Sequence, residues 1–170
     1  ALTSGFFEFL WYKPVNELRE DTKGFILNQA GFDLRLLGRL SEAAQPMSTA
    51  FDGVVILKDW RNASIGAIGL SALHMTIGDG DLASKYARQS VELADRSNDT
   101  YCRVATRSLL GDVLHQMGRL TEAEAVFHEA EMTLKDWQPQ YRFLMGMWGI
   151  RYCDLLLSQE KFNDVEERAS

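Results

Sequence analysis

The 170-residue sequence predicts an all-α fold, an array of antiparallel helix pairs. Three observations carry that prediction. Glycines stand at Gly38, Gly78 and Gly118, 40 residues apart each time, and Ala43, Ala83 and Ala123 keep the same interval. On either side of each glycine, apolar residues recur three and four apart, which lines one face of a helix. No stretch alternates apolar and polar residues as a half-buried strand would, and there are only three prolines.

The elements follow in order. Residues 1–17 form an aromatic segment whose centre is Phe6-Phe7-Glu8-Phe9-Leu10-Trp11-Tyr12. It is expected to fold back as a hydrophobic cap on the first helix pair, with a docking element as the alternative. Copies of the repeat are expected at 18–58, 59–98 and 99–138, with a partial copy at 139–170. Gly38-Arg39-Leu40-Ser41-Glu42-Ala43 returns as Gly118-Arg119-Leu120-Thr121-Glu122-Ala123, with Gly78-Asp79-Gly80-Asp81-Leu82-Ala83 between them. A worn version follows at Glu160-Lys161-Phe162-Asn163-Asp164-Val165. Leu27, Ala30, Leu34 and Leu37 stripe the first helix of copy one; Leu110, Val113, Leu114 and Met117 do so in copy three.

The glycines sit where a helix ends in the left-handed conformation. Ser41, Asp81 and Thr121 are expected to cap the second helices, with Thr121–Glu124 in capping-box form. Pro14 and Pro139 precede predicted helices, and Pro46 falls in the first turn of one. Leu-Lys-Asp-Trp occurs at 57–60 and 134–137, where Trp60 and Trp137 are expected to plug inter-repeat junctions.

Small residues recur where paired helices must approach. Gly31, Ser71, Gly111 and Cys153 hold one position on the first helices; Ala43, Ala83, Ala123 and Val165 hold another on the second, and Ala50, Ser90 and Ala130 a third. In this the chain resembles the tetratricopeptide (TPR) family over about residues 18 to 170, with Met47, Ala87 and Phe127 at that motif's large apolar site. The resemblance implies a right-handed α-α superhelix, a TPR-like solenoid. The 40-residue interval exceeds the usual ~34, as in kinesin light chains and in the sensor arrays of bacterial STAND-type signalling proteins. Stretches such as Ala87–Ala94 and Arg151–Leu157 resemble the repeat regions of the latter. The lack of an initiator Met and the end at Ser170 in a charged helical stretch are expected of a piece cut from a longer protein.

Composition narrows the function. Apolar residues make up 46% and charged residues 25%, values of a folded domain rather than a disordered one. A net charge of -6 and a pI near 5.1 disfavour a nucleic-acid partner, whose phosphates are held by clustered Lys and Arg. No apolar run approaches the ~20 residues of a membrane span, and no signal peptide is recognisable. Cys102 and Cys153 lie outside any CxxC pair and are read as reduced thiols of a cytoplasmic protein.

Catalytic and metal motifs are missing. No phosphate loop or dinucleotide fingerprint occurs, and Asp79-Gly80-Asp81 lacks the other ligands of a calcium loop, with Ser90 in place of its final Glu. His115 has Asp112 a turn before it and His128 has Glu124, spacings that ordinary surface pairs share with general bases. The chain is therefore expected to be no enzyme and to need no cofactor or metal.

The resemblance also implies where a ligand sits, on the concave face lined by the first helices. The matching positions are Phe25, Asn28, Phe32, Arg35 and Leu36 in copy one, and Ile65, Ile68, Ala72, Met75 and Thr76 in copy two. Copy three supplies Ala105, Ser108, Asp112, His115 and Gln116; the last supplies Met147, Ile150, Asp154, Leu157 and Ser158. The apolar members serve equally well as intra-repeat core, so the polar ones are the better candidates. Apolar anchors with a few polar groups suit an extended or helical peptide. The Lys and Asn clamp that binds chaperone tails is absent except for Asn28. The expected role is a protein-interaction module of a larger signalling protein, monomeric or weakly dimeric through its repeat ends. A structural spacer or self-association module is the alternative.

Overall fold

The computed structural model describes residues 4–169. Residues 1–3 of the aromatic segment and Ser170 lie outside them. A 3-10 turn at Ser4–Phe6 leads into a hairpin of β1 (Phe7–Phe9) and β2 (Lys13–Pro14). Eight α-helices follow among the described residues: α1 (Glu20–Leu36), α2 (Leu40–Ile56), α3 (Trp60–Ile77), α4 (Gly80–Ser97), α5 (Thr100–Gln116), α6 (Leu120–Trp137), α7 (Gly146–Ser158) and α8 (Phe162–Ala169). Each pairs with the next through a short turn, and each second helix also packs on the first helix of the following pair.

The turns explain the repeated glycine. Gly38, Gly78 and Gly118 have φ of 72°, 92° and 74°. In each turn the glycine N–H and the next one reach back to the end of the helix, as in Gly118 to the His115 carbonyl (2.9 Å) and Arg119 to that of Leu114 (2.9 Å). The fourth copy makes the same turn without glycine. Glu160 takes φ 59°, and Lys161 N–H bonds the Leu156 carbonyl at 2.9 Å.

Three expectations are corrected. The second helices start two residues earlier than expected, so Ser41, Asp81 and Thr121 lie inside them, and the caps are Arg39, Asp79 and Arg119. Thr121–Glu124 is thus no capping box. Arg39 and Arg119 instead bond Glu42 and Glu122 three residues on, each with Nε to Oε1 at 2.7 Å, while Glu124 pairs with Lys161, just before α8. Pro46 stands in the second turn of α2, not the first; it is buried and has no N–H for the Glu42 carbonyl. A hairpin exists although no strand was expected, because three- and two-residue strands are too short to carry an alternation signal. Its Trp11 is buried against the core of the first two pairs, whereas Phe9 and Tyr12 are exposed.

Packing within pairs turns on matched sizes. A Cβ on Gly31 would lie 2.2 Å from Met47 Cγ, and one on Gly111 would lie 2.8 Å from two ring atoms of Phe127. In the second pair the large partner is replaced by Ala87, and Ser71 fits where glycine stands elsewhere. Its hydroxyl donates to the Ala83 carbonyl at 2.8 Å, joining the two backbones. Ala30, Leu70 and Leu110 occupy one register position and are all buried. His74 holds the slot of Leu34 and Leu114, and its ring stacks on Tyr86 at 5.5 Å.

Between pairs, Asp99 does two jobs. As the N-cap of α5 it accepts from Cys102 N–H at 2.9 Å, and its other oxygen accepts from Arg61 of α3 at 2.7 Å. The backbone N–H and then the guanidinium hold its carboxyl below the usual Asp value. A depressed carboxyl stabilises the fold above the unfolded-state value near pH ~4 and loses that contribution as pH falls through the folded value.

Two measurements test this packing. In urea denaturation Gly111→Ala should cost about 1–3 kcal/mol, because an aromatic ring cannot step aside in a filled core. Gly53→Ala, at a helical site with open space around it, should instead gain about 0.5–1 kcal/mol. Asp99→Ala should cost about 0.5–2 kcal/mol through the lost cap. Asp99→Asn keeps a capping oxygen, so it should cost less at neutral pH and flatten the loss of stability below about pH 4.

Candidate interaction face

α5 packs against α3 on one side and α7 on the other, so the first helices form a row, with second helices behind it. The outward stripe of that row carries large apolar side chains. Phe25 is 69% exposed, Leu36 72% and Met147 61%; Phe32, Ile65, Ile150 and Leu157 are exposed as well. They sit outward because the opposite stripe, including Ile26, Leu27, Leu34, Leu155 and Leu156, already fills the pair interiors. Seven bulky apolar groups left in solvent on one row of helices form the kind of surface that marks a contact site.

The polar residues divide. Asn28, Gln116 and Asp154 are exposed, and Arg35 and His115 are half-buried. Asp112 pairs with Arg151 of α7, Nε to Oδ2 at 3.4 Å, and so joins two first helices instead of orienting His115. Thr76 and Ser158 bond carbonyls of their own helices, at Ala72 (2.8 Å) and Leu155 (2.7 Å). Ser108 is buried and bonds the Val104 carbonyl at 2.9 Å, so it does not reach the face. Ile68 and Met75 are half-buried against the core and present only their edges; Ala72 and Ala105 are half-buried too. The face is therefore apolar on α1, α3 and α7 and most polar on α5.

Sequence reasoning missed Tyr101, Trp148 and Arg151. Tyr101 is exposed on the first turn of α5, with its ring 5.3 Å from that of Trp148 on α7. It lies four residues before Ala105, so extending the stripe one more turn would have found it. Arg151 carried no local signal, because its partner is 39 positions away.

Chemistry elsewhere is sparse. Among the described residues no group of three or more His, Cys, Asp or Glu side chains could hold a metal ion, and no helix is long and apolar enough to cross a membrane. Cys102 is buried and Cys153 half-buried, and burial pushes both thiols up, away from the reactive thiolate.

No protein-family model matches the sequence, and no curated protein matches it. Among solved structures the chain is similar to a crystal structure of Podospora anserina kinesin light chain nearly identical TPR-like repeats. The TM-score is 0.63 at 14% identity, and the match covers 73% of this chain and 61% of that one. At that identity the likeness is one of architecture: this chain is an all-α solenoid of TPR-like helix pairs.

Proposed function

We propose that the chain is a non-catalytic module that binds a protein or peptide along the outward stripe of its first helices, as a sensor or scaffold within a larger cytoplasmic signalling protein, of bacterial type. The observation that carries this reading is the exposed row Phe25, Phe32, Leu36, Ile65, Met147, Ile150 and Leu157. Exposed apolar groups spaced along several helices supply anchors, and Asn28, Arg35, Gln116 and Asp154 supply polar contacts that set direction and register. His115 lies half-buried beside them, where a ligand would cover it. The net charge of -6 argues against nucleic acid and against anionic membrane surfaces. A second reading, self-association through the ends of the array, is favoured by the exposed Phe9 and Tyr12 at one end and Phe162 at the other.

Selection from a displayed random peptide library separates the two. The wild-type chain should enrich peptides with two or three spaced apolar residues, and Phe32→Asp with Ile150→Asp should lower their affinity at least about tenfold with unchanged circular dichroism. Sedimentation of the free chain would then stay monomeric. If no peptide is enriched and mass rises with concentration, the self-association reading replaces the first.

A further inference from the structure

Nearly every charge on the first helices is answered from within the fold. Asp33 of α1 accepts from Gln29 at 2.9 Å. Arg61 of α3 pairs with Asp99 at 2.7 Å. On α5, Arg103 and Arg107 pair with Asp95 of α4 at 3.1 and 2.9 Å, and Asp112 pairs with Arg151 of α7 at 3.4 Å. Lys23 is engaged as well. Among the described residues, two charges of these helices are left without a partner, Arg35 on α1 and Asp154 on α7.

Each stands alone for a local reason. None of the residues three or four positions from Arg35 (Gly31, Phe32, Gly38 and Arg39) is acidic. Arg35 is half-buried in the last turn of α1, where its charge complements the negative helix end. Asp154 has no such compensation. It is exposed in the half of α7 nearest that helix's own negative end. Arg151, three residues before it and within its reach, is taken by Asp112.

The two unanswered charges are opposite in sign and stand on different helices of one row, with α3 and α5 between them. Around them the face is apolar, with Phe32, Ile65 and Ile150 exposed. The Asp112–Arg151 pair neutralises itself, so the middle of the row asks for no counter-charge. Packed helices lie about 8–10 Å apart, which puts Arg35 and Asp154 roughly 25–30 Å from each other. An extended chain covers that span in about eight residues.

We propose that this face reads a dipolar peptide: an extended segment that sets a carboxylate over Arg35 and a cation over Asp154, with apolar residues between them. The proposal rests on the reading of the face as a peptide site given above, and adds the charge order of its ligand. Complementary charges at the two ends fix register and speed encounter, while the apolar residues hold the segment in place.

Selection from displayed random peptides, with three baits, tests the charge order. Peptides enriched on the wild-type chain should carry Asp or Glu near one end and Lys or Arg near the other, about eight residues apart. Arg35→Glu should enrich peptides with cations at both ends, and Asp154→Lys peptides with carboxylates at both. For one peptide recovered on wild type, Arg35→Glu should weaken binding about tenfold in low salt and far less in ~1 M, where charges are screened within ~3 Å. Exchanging that peptide's acidic residue for Lys should restore its binding to Arg35→Glu. Arg35→Gln, which adds no charge to the helix end, should weaken the original peptide about threefold with an unchanged urea midpoint. Enriched peptides with uncharged ends, or one motif shared by all three baits, would overturn the dipolar reading while the face stayed a peptide site. No enriched peptide on any bait would remove the peptide site, and this inference with it.

Discussion

The distance at which paired helices can approach governs this molecule. Where the second helix carries Met47 or Phe127, the first helix has no side chain at all, only Gly31 or Gly111. Where the second helix carries Ala87, a serine fits and ties the two backbones together. A filled interior tolerates little change of volume, so the partner positions change size together. Everything outward depends on this spacing. It sets which stripe of each first helix turns inward, and so which stripe is left to solvent.

Successive junctions keep the geometry and vary the chemistry. The contact that is Phe51 on Tyr86 at one end becomes Glu131 on Arg168 at the other. Apolar contacts are non-directional and insensitive to salt, whereas a buried carboxylate is costly unless it is paired and hydrogen-bonded. Burial pushes the Glu131 carboxyl above the ordinary range, against the pull of the Leu144 N–H and Arg168. The junctions are thus uneven in chemistry along the array. In a solenoid each unit answers mainly to its neighbours, so such unevenness stays local.

The face of the first helices was legible in part. Phe25, Phe32, Leu36, Met147 and Ile150 stand outward as their spacing requires. Ser108 shares that spacing but lies buried, because α5 is flanked on both sides by other first helices, which cover part of its stripe. Asp112 has His115 as its neighbour one turn away along α5, but bonds Arg151 on another helix. Periodicity reports which side of a helix a residue occupies; it carries nothing about what the next helix brings to that side.

Leu-Lys-Asp-Trp shows the same division. At 57–60 it forms a turn, with Lys58 at φ 57° and Asp59 capping α3 through the Asn62 N–H at 3.1 Å. At 134–137 the same four residues are the last turn of α6, and Trp137 is exposed instead of plugging a junction. The two copies lie 77 apart rather than 80, so they fall at different points of the repeat. By itself the sequence determined the helix pairs, their order, the left-handed glycine turns and the small residues at the close approaches, because these follow from local backbone preference and a period that repeats. Only the tertiary structure decided the cross-helix ion pairs and the exposure of each stripe, because these depend on groups far apart in the chain that meet only once the pairs have stacked.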